Sequence, residues 1–576
     1  MNETHIFFDF KKNLKKDFSG FKSFKIAILG DSSTQFLSQA IRGCGFNSAL
    51  DLEIYEADYD QIDQEISDET SYLYEFKPDY VLIFQNTQKI RKKFYFSKQN
   101  TRHNFAELQI DHLNDLIETL DSKLNASILY ANFIEINDGV FGNFGNKVDS
   151  SFLFQLRKLN YELMKLAVQR KNFFINDLSS LNNQWGLNSS FDAKMYVNAS
   201  ITQSLDFTAI VAENTLGIIR SLIGKIKKCL ILDLDNTTWG GIIGDDGMEK
   251  IQIGELGIGR AFSELQQWVK ELKRRGIIVA VCSKNTESIA REPFEKHPDM
   301  VLRMEDISVF VANWETKVDN IRYIQSILNI GFDSMVFIDD NPFEREIVRS
   351  EIHDIEVPEL PVDPSLYLQF LTGLNLFETA SFSTEDGERT KQYQEEAKRS
   401  SVKKSFTSED DYLKSLSMKS HVKAFDNFTL PRIAQLTQRS NQFNLRTKRY
   451  TEQDIFLMIE SEGYTTLSFT LEDKFGENGL IAAVILEEKN DTLLIDTWIM
   501  SCRVLKRGME QFIINEIVKI AQAKGINKLI GEYLPTQKNV IVKDLYESLG
   551  FLQDNALWIL DVNQFTQLKN FINAEY

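Results

Sequence analysis

The chain has 576 residues, 43% of them hydrophobic and 26% charged, the composition of a folded protein too long for one hydrophobic core, so about two to four domains are expected. A formal net charge of −18 repels polyanions at long range and speaks against nucleic acid or an anionic membrane as the main partner. No apolar run reaches the roughly 18 to 20 residues of a membrane helix, and the opening MNETHIFFDFKKNLKKDF lacks the apolar core and cleavage site of a secretion signal, so a cytoplasmic protein is expected.

The cysteines, Cys44, Cys229, Cys282 and Cys502, have no close Cys or His neighbour in sequence, which argues against a disulfide framework and a structural zinc site. Three apolar runs ending in polar turns divide the chain: Phe24 to Leu29 before GDSST, Cys229 to Leu234 before DNTTWGG, and Thr492 to Met500 before SCRVLKRG. Each reads as a strand delivering a loop to its C-terminal end, where open parallel sheets bind ligands. Three α/β modules are therefore expected, over residues 1–223, 224–364 and 412–576, with a polar helical linker over 365–411.

The first module has further strands at Tyr80 to Phe84 and Ala126 to Tyr130, and a closing helix near Phe207 to Leu222. Its GDSST resembles the first block of the SGNH, or GDSL, hydrolases, with Ser32 at the nucleophile position. A lone serine in a loop is ordinarily a turn or helix cap. No histidine lies between Asp177 and Ile223, where that family carries its general base. A flavodoxin-type α/β fold kept for binding or docking is the reading favoured over a working esterase.

In the central module, KKCLILDLDNTTWGG sets two carboxylates two residues apart just after an apolar run. Where the strand ends and the chain curls, Asp233 can face a phosphate while Asp235 reaches the leaving oxygen. Such a pair alone fits a strand that merely ends in an Asp turn. However, IIVAVCSKN ends a second apolar strand in Ser283, Lys284 and Asn285, Lys317 follows, and MVFIDDNPFERE ends a third in Asp339 and Asp340. A hydroxyl, a lysine and paired acids at successive strand ends are what phosphoryl transfer requires. Ser283 and nearby N–H groups would hold phosphate oxygens, Lys317 would neutralise charge, and Asp339 would complete a hard oxygen site for Mg²⁺.

This order, DxDxT, then S, then K, then DD, resembles the four motifs of the haloacid dehalogenase (HAD) superfamily. The resemblance implies that Asp233 is the nucleophile and Asp235 the general acid and base. It also implies Mg²⁺ on Asp233, the main chain of Asp235, and Asp339, with a Rossmann-like fold. Thr237, Ser283, Lys284, Asn285 and Asp340 are then the residues around the substrate. The intervals from Asp233 to Ser283 and on to Lys317 leave no room for an inserted cap domain. Water exclusion would fall to the flap WGGIIGDDG or to the flanking modules, and a large substrate could enter.

The third module, with KSLSMKSHVKAFD, long pairable strands and the ending TQKNVIVKDLYESLGF, resembles the GNAT acyltransferase fold, an α+β architecture. Arg503 to Gly508 resembles that family's pyrophosphate loop, in which Arg503 and Arg507 would meet phosphate, although Lys506 stands where the pattern has its first glycine. Cys502, at the start of a helix beside Arg503, Lys506 and Arg507, has surroundings that favour thiolate; a buried thiol is the blander reading. Arg439, Arg446, Lys448 and Arg449 form a basic run that could receive an acidic carrier protein.

Taken together, DLDNTTWGGIIGDDG, TQRSNQFNLRTKRY and MSCRVLKRGME resemble the FkbH family, HAD subfamily IIIC, over essentially the whole chain. That resemblance implies a glyceryl transferase and phosphatase. It would take 1,3-bisphosphoglycerate, remove phosphate at the Mg²⁺ site, and pass the glyceryl group through a cysteine to the phosphopantetheine arm of an acyl carrier protein. Cys502 becomes the leading acyl carrier and Cys282 its competitor. The other readings are a plain phosphatase of a small metabolite and a carrier-binding scaffold with a vestigial site.

Overall fold

The computed structural model describes residues 6–382, 395, 399, 402, 406, 408–440, 442–489, 491–501, 504–536 and 538–576, Arg439 by its backbone only. The chain divides into two compact units, Met1–Arg220 and Ser221–Tyr576, and is built of several α/β modules.

The first unit holds a parallel sheet of β1 (Lys22–Gly30), β2 (Leu50–Glu56), β3 (Tyr80–Phe84), β4 (Ser127–Ala131) and β5 (Phe173–Asn176) in the order β2-β1-β3-β4-β5. That is the strand order of flavodoxin-like doubly wound sheets. Every residue of β3 is buried, as a parallel strand covered on both faces must be. One face packs into a core with the helices Phe105–Lys123 and Phe152–Gln169. The closing helix runs Leu205–Leu222. Asp31, Ser32 and Asn86 follow the C-terminal ends of β1 and β3, where the strand order reverses.

The second unit contains two sheets. The smaller is parallel, with β6 (Cys229–Leu232), β7 (Ile278–Ser283), β8 (Val309–Ala312) and β9 (Met335–Ile338) in the order β8-β7-β6-β9. Alternation sorts its side chains into two cores. Leu230, Leu232, Val279, Val281, Val336 and Ile338 join one; Cys229, Ile231, Ile278, Ala280, Cys282, Met335 and Phe337 join the other. Tyr367, Leu371 and Phe377 complete the first of these cores. This corrects the expectation of a linker from residue 365, because an apolar stripe there covers the sheet.

Most of the polar stretch Ser381 to Asp411 lies outside the described residues. Where described, it is not simply solvated. The Arg399 side chain is 0% exposed and its Nε and Nη2 each donate to Asp473 at 2.8 Å.

The larger sheet comprises β10 (Met418–Lys423), β11 (Tyr464–Asp473), β12 (Gly476–Lys489), β13 (Thr492–Met500), β14 (Lys528–Glu532), β15 (Leu552–Asp554), β16 (Leu557–Asp561) and β17 (Ile572–Glu575), ordered β15-β16-β14-β13-β12-β11-β10-β17. Its pairings are antiparallel except β13 with β14 and β10 with β17. β13 and β14 pair only from Thr492 to Leu494 and then part. The segment Phe443 to Leu445 bonds to both sides of the gap: Met500 N donates to the Phe443 carbonyl at 3.2 Å and Leu534 N to that of Leu445 at 2.9 Å.

Candidate active site

The site forms where the parallel strands of the second unit end. Asp233 stays tied to β9, its N–H donating to the Ile338 carbonyl at 2.9 Å. Beyond it the chain folds sharply: Thr237, Thr238 and Trp239 all donate their N–H to the Leu234 carbonyl. Asn236 takes φ 54°, a left-handed position that asparagine tolerates better than most residues. The turn sends the Asp233 and Asp235 carboxylates to different partners.

Asp233 Oδ1 lies 2.5 Å from Lys317 Nζ, whose other carboxylate partner is Asp339 Oδ2 at 2.8 Å. Lys317 Nζ also donates to the Cys282 carbonyl at 3.2 Å. Lys317 begins the helix Lys317–Leu328, capped by Thr316, so its stem enters the core directly. Burial opposes the ammonium charge, but Asp233 and Asp339 outweigh it and hold the lysine above its ordinary pKa. Burial, then repulsion from Asp233, pushes Asp339 up to about 6 against the pull of Lys317, and Asp340 is raised by the same two causes.

One carboxylate oxygen each from Asp233, Asp339 and Asp340 lie within 4.8 Å of one another. Lys317 offsets part of their charge, and three hard anionic oxygens so close suit a small divalent ion of the Mg²⁺ type. Asp340 therefore stands with the acids that could hold a metal, a correction to its placement beside the substrate. Thr237 is likewise a support: its hydroxyl accepts from Asp340 N at 2.9 Å and faces Asp340 Oδ1 at 3.3 Å. Arg345, 5% exposed, donates from Nη1 to the carbonyls of Asp339 and Asp340 at 2.8 Å each and pairs with Glu359 at 2.9 Å.

Asp235 is held by three donors. Its Oδ1 accepts from Trp239 Nε1 and Ile243 N at 3.0 Å each, and its Oδ2 from Asn285 Nδ2 at 2.9 Å. Asn285 Nδ2 also reaches the buried Ser283 hydroxyl at 3.2 Å. Lys317 thus joins Asp233 to Asp339, Thr237 holds Asp340, Arg345 ties Asp339 to Asp340 through their carbonyls, and Asp235, Asn285 and Ser283 form a separate bonded group. Lys284 has its ammonium 2.5 Å from Glu344 and keeps 39% of its side chain exposed. Trp239 and Arg345 are the positions the sequence reading passed over.

The cysteine and loop expectations divide. Cys502 and Arg503 lie outside the described residues. Arg507 is described, 5% exposed, with Nη1 3.3 Å from Asp473; its guanidinium is spent on a buried carboxylate, which corrects its reading as a phosphate contact. Lys506 takes φ 62°, the left-handed conformation that the glycine pattern would have supplied freely. Burial pushes the Cys282 thiol up to about 12, Lys317 notwithstanding, so it is core rather than an acyl carrier.

The basic run is also internally committed. Arg446 and Lys448 both pair with Asp496, at 2.7 and 2.6 Å, and Arg446 pairs with Glu532 at 2.7 Å. Burial lowers Arg449 to about 10, and its Nη1 donates to the Ser440 carbonyl at 2.9 Å. Among the described side chains of the run, Arg446 and Arg449 are therefore held inside the fold, while Lys448 keeps 40% of its side chain exposed beside Asp496. In the first unit, the buried Ser32 hydroxyl has no hydrogen-bond partner among the described residues, so no general base touches it. Asp31 accepts from Asn86 N and Nδ2 at 3.0 and 2.8 Å.

Residues 25–220 match the family described as FkbH, N-terminal domain. A solved structure, the N-terminal part of the protein BF1531 from Bacteroides fragilis containing a phosphatase domain complexed with Mg, is 50% identical. That match covers 65% of this chain and 99% of the other, with a TM-score of 0.64. The spermidine/spermine N-acetyltransferase SpeG of Vibrio cholerae is 15% identical over 25% of this chain and 95% of its own, with a TM-score of 0.21. No curated protein matches the sequence.

Proposed function

This chain belongs to the FkbH family, and from that membership we propose a Mg²⁺-dependent phosphatase whose fuller activity is glyceryl transfer to an acyl carrier protein. The observation that carries the phosphatase reading is the Asp233, Lys317, Asp339 and Asp340 cluster, together with the 50% identical neighbour complexed with Mg.

Mg²⁺ on Asp233, Asp339, Asp340 and the Asp235 main chain would neutralise phosphoryl oxygens. An Asp233 oxygen attacks phosphorus, forming an O–P bond as the bond to the leaving oxygen breaks. Asp235 gives its proton to that leaving oxygen and later takes one from the water that cleaves the aspartyl phosphate. Lys317 holds Asp233 in place and offsets the charge of the acid cluster.

For the full activity the proposed substrate is 1,3-bisphosphoglycerate. Its acyl phosphate is already activated for thiolate attack, with Cys502 as the acyl carrier, and its phosphate ester goes to the Asp233 site. The burial of Cys282, Cys229 and Cys44 supports Cys502 by leaving each of the other thiols enclosed. The test is intact-protein mass spectrometry after incubation with 1,3-bisphosphoglycerate and Mg²⁺. A glyceryl adduct of about 88 Da, lost in Cys502→Ser, is expected. Phosphate release without any cysteine adduct would leave a phosphatase alone.

A further inference from the structure

We infer that Trp239 is a positioning residue for the proton donor Asp235, and that its indole N–H couples that carboxylate to the flap over the site. The inference rests on the phosphatase reading and goes beyond it by giving Trp239, at the start of the flap, a role of its own.

Asp235 stands past the end of β6 and is only half-buried, so its carboxylate is oriented by the groups that bond to it. Its orientation is set by three donors from two segments: the Trp239 indole and the N–H of Ile243 on the flap, and the amide of Asn285 after β7. Trp239 is 0% exposed and meets Phe294 edge to face, ring centroids 5.8 Å apart. The direction of its N–H is therefore fixed by the core. Asp235 is the acceptor of that buried donor, and losing it would strand the N–H without water to replace it.

Ile243 begins the short flap helix Ile243–Asp246, whose N-cap offers no side-chain hydrogen bond; Asp235 supplies the acceptor instead. The flap is pinned behind it by the reciprocal pair between Gly240 and Gln252, at 3.0 and 2.7 Å, and by Gly241 N on Asn236 Oδ1 at 2.9 Å. One carboxylate thus holds the flap through the Ile243 N–H, has a core indole as its anchor, and in the proposed mechanism is the group that protonates the leaving oxygen.

The consequence depends on the leaving group. When an alkyl phosphate transfers its phosphoryl group to Asp233, the alkoxide leaves only as it takes a proton from Asp235. An acidic phenol leaves without one. A misaligned Asp235 therefore slows alkyl esters far more than aryl esters, whereas general damage slows both alike.

The experiment measures kcat/KM of the full chain with Mg²⁺ for glycerol phosphate and for p-nitrophenyl phosphate, a ratio that reports steps up to leaving-group departure. Trp239→Phe keeps the ring packing and deletes the donor. Its loss on glycerol phosphate is expected to be about 100-fold, at least about tenfold greater than its loss on p-nitrophenyl phosphate. Asn285→Ala, which removes the donor to the other oxygen, should split the substrates in the same direction and stands in if Trp239→Phe does not fold. Equal losses on both esters, or no loss on either, overturn the positioning role while leaving the phosphatase reading intact. A wild-type chain that hydrolyses neither ester overturns both.

Discussion

Lys317 keeps its charge with 3% of its side chain exposed because Asp233 and Asp339 face it. Replacing it by methionine leaves three carboxylates crowded without their cation. Lys317→Met should therefore lower metal-free stability by about 3 kcal/mol and recover much of that with Mg²⁺, as read by thermal shift with and without the ion. Asp31 gives a second prediction, with a definite sign. Burial raises it to about 7, against its bonds from Asn86 and the pull of Lys89 and Lys93. The folded state then holds a proton that the unfolded chain releases near pH 4, so its contribution falls as pH rises from about 4 to about 7. Asp31→Asn should be about 2 kcal/mol more stable than wild type at pH 8 and close to it at pH 4, measured by urea denaturation. Asp233, Ser283 and Asp339 stand at the ends of apolar runs that are visible in the sequence, and in the structure Lys317 bonds to both aspartates. Trp239 and Arg345 were not legible in the sequence, because what they bond to is settled only when separate strand ends converge.

At the level of elements, short buried strands were the clearest sequence feature, since β3 and β13 coincide with their apolar runs. The stretch after residue 365 shows what charge pattern alone does not settle: Tyr367, Leu371 and Phe377 join the core, and Arg399 is buried on Asp473. The pairing of Arg446 and Lys448 was hidden for the same reason: Asp496 and Glu532 come from strands distant in sequence. The flap is where local geometry constrains most. Gly241 has φ 92°, and a Cβ there would lie 2.8 Å from Asp246 Oδ2, the atom that accepts from Ile242 N. Gly241→Ala should cost about 1 to 2 kcal/mol in local strain and lower kcat/KM with little change in overall melting. An unchanged kcat/KM would show that the flap's conformation does not matter to turnover.

For the molecule as a whole, the metal carboxylates belong to Ser221–Tyr576 and none to Met1–Arg220. Mg²⁺ should stabilise only the unit that binds it, by about 2.7 kcal/mol at 100 times its dissociation constant. In differential scanning calorimetry, one transition should move with added Mg²⁺ and the transition of the first unit should stay in place. Two transitions shifting together would show that the units melt as one.

The internal pairing of Arg446, Lys448 and Arg449 also bears on how fast a carrier arrives. With Arg446 and Arg449 held inside the fold and Lys448 paired with Asp496, the described cations of that run offer an acidic carrier little to offset a formal chain charge of −18. Like charges then slow the encounter, and added salt shortens the Debye length from about 30 Å at 0.01 M to about 8 Å at 0.15 M. Stopped-flow association should accordingly speed up with ionic strength, opposite to the response of a partner drawn in by a basic face.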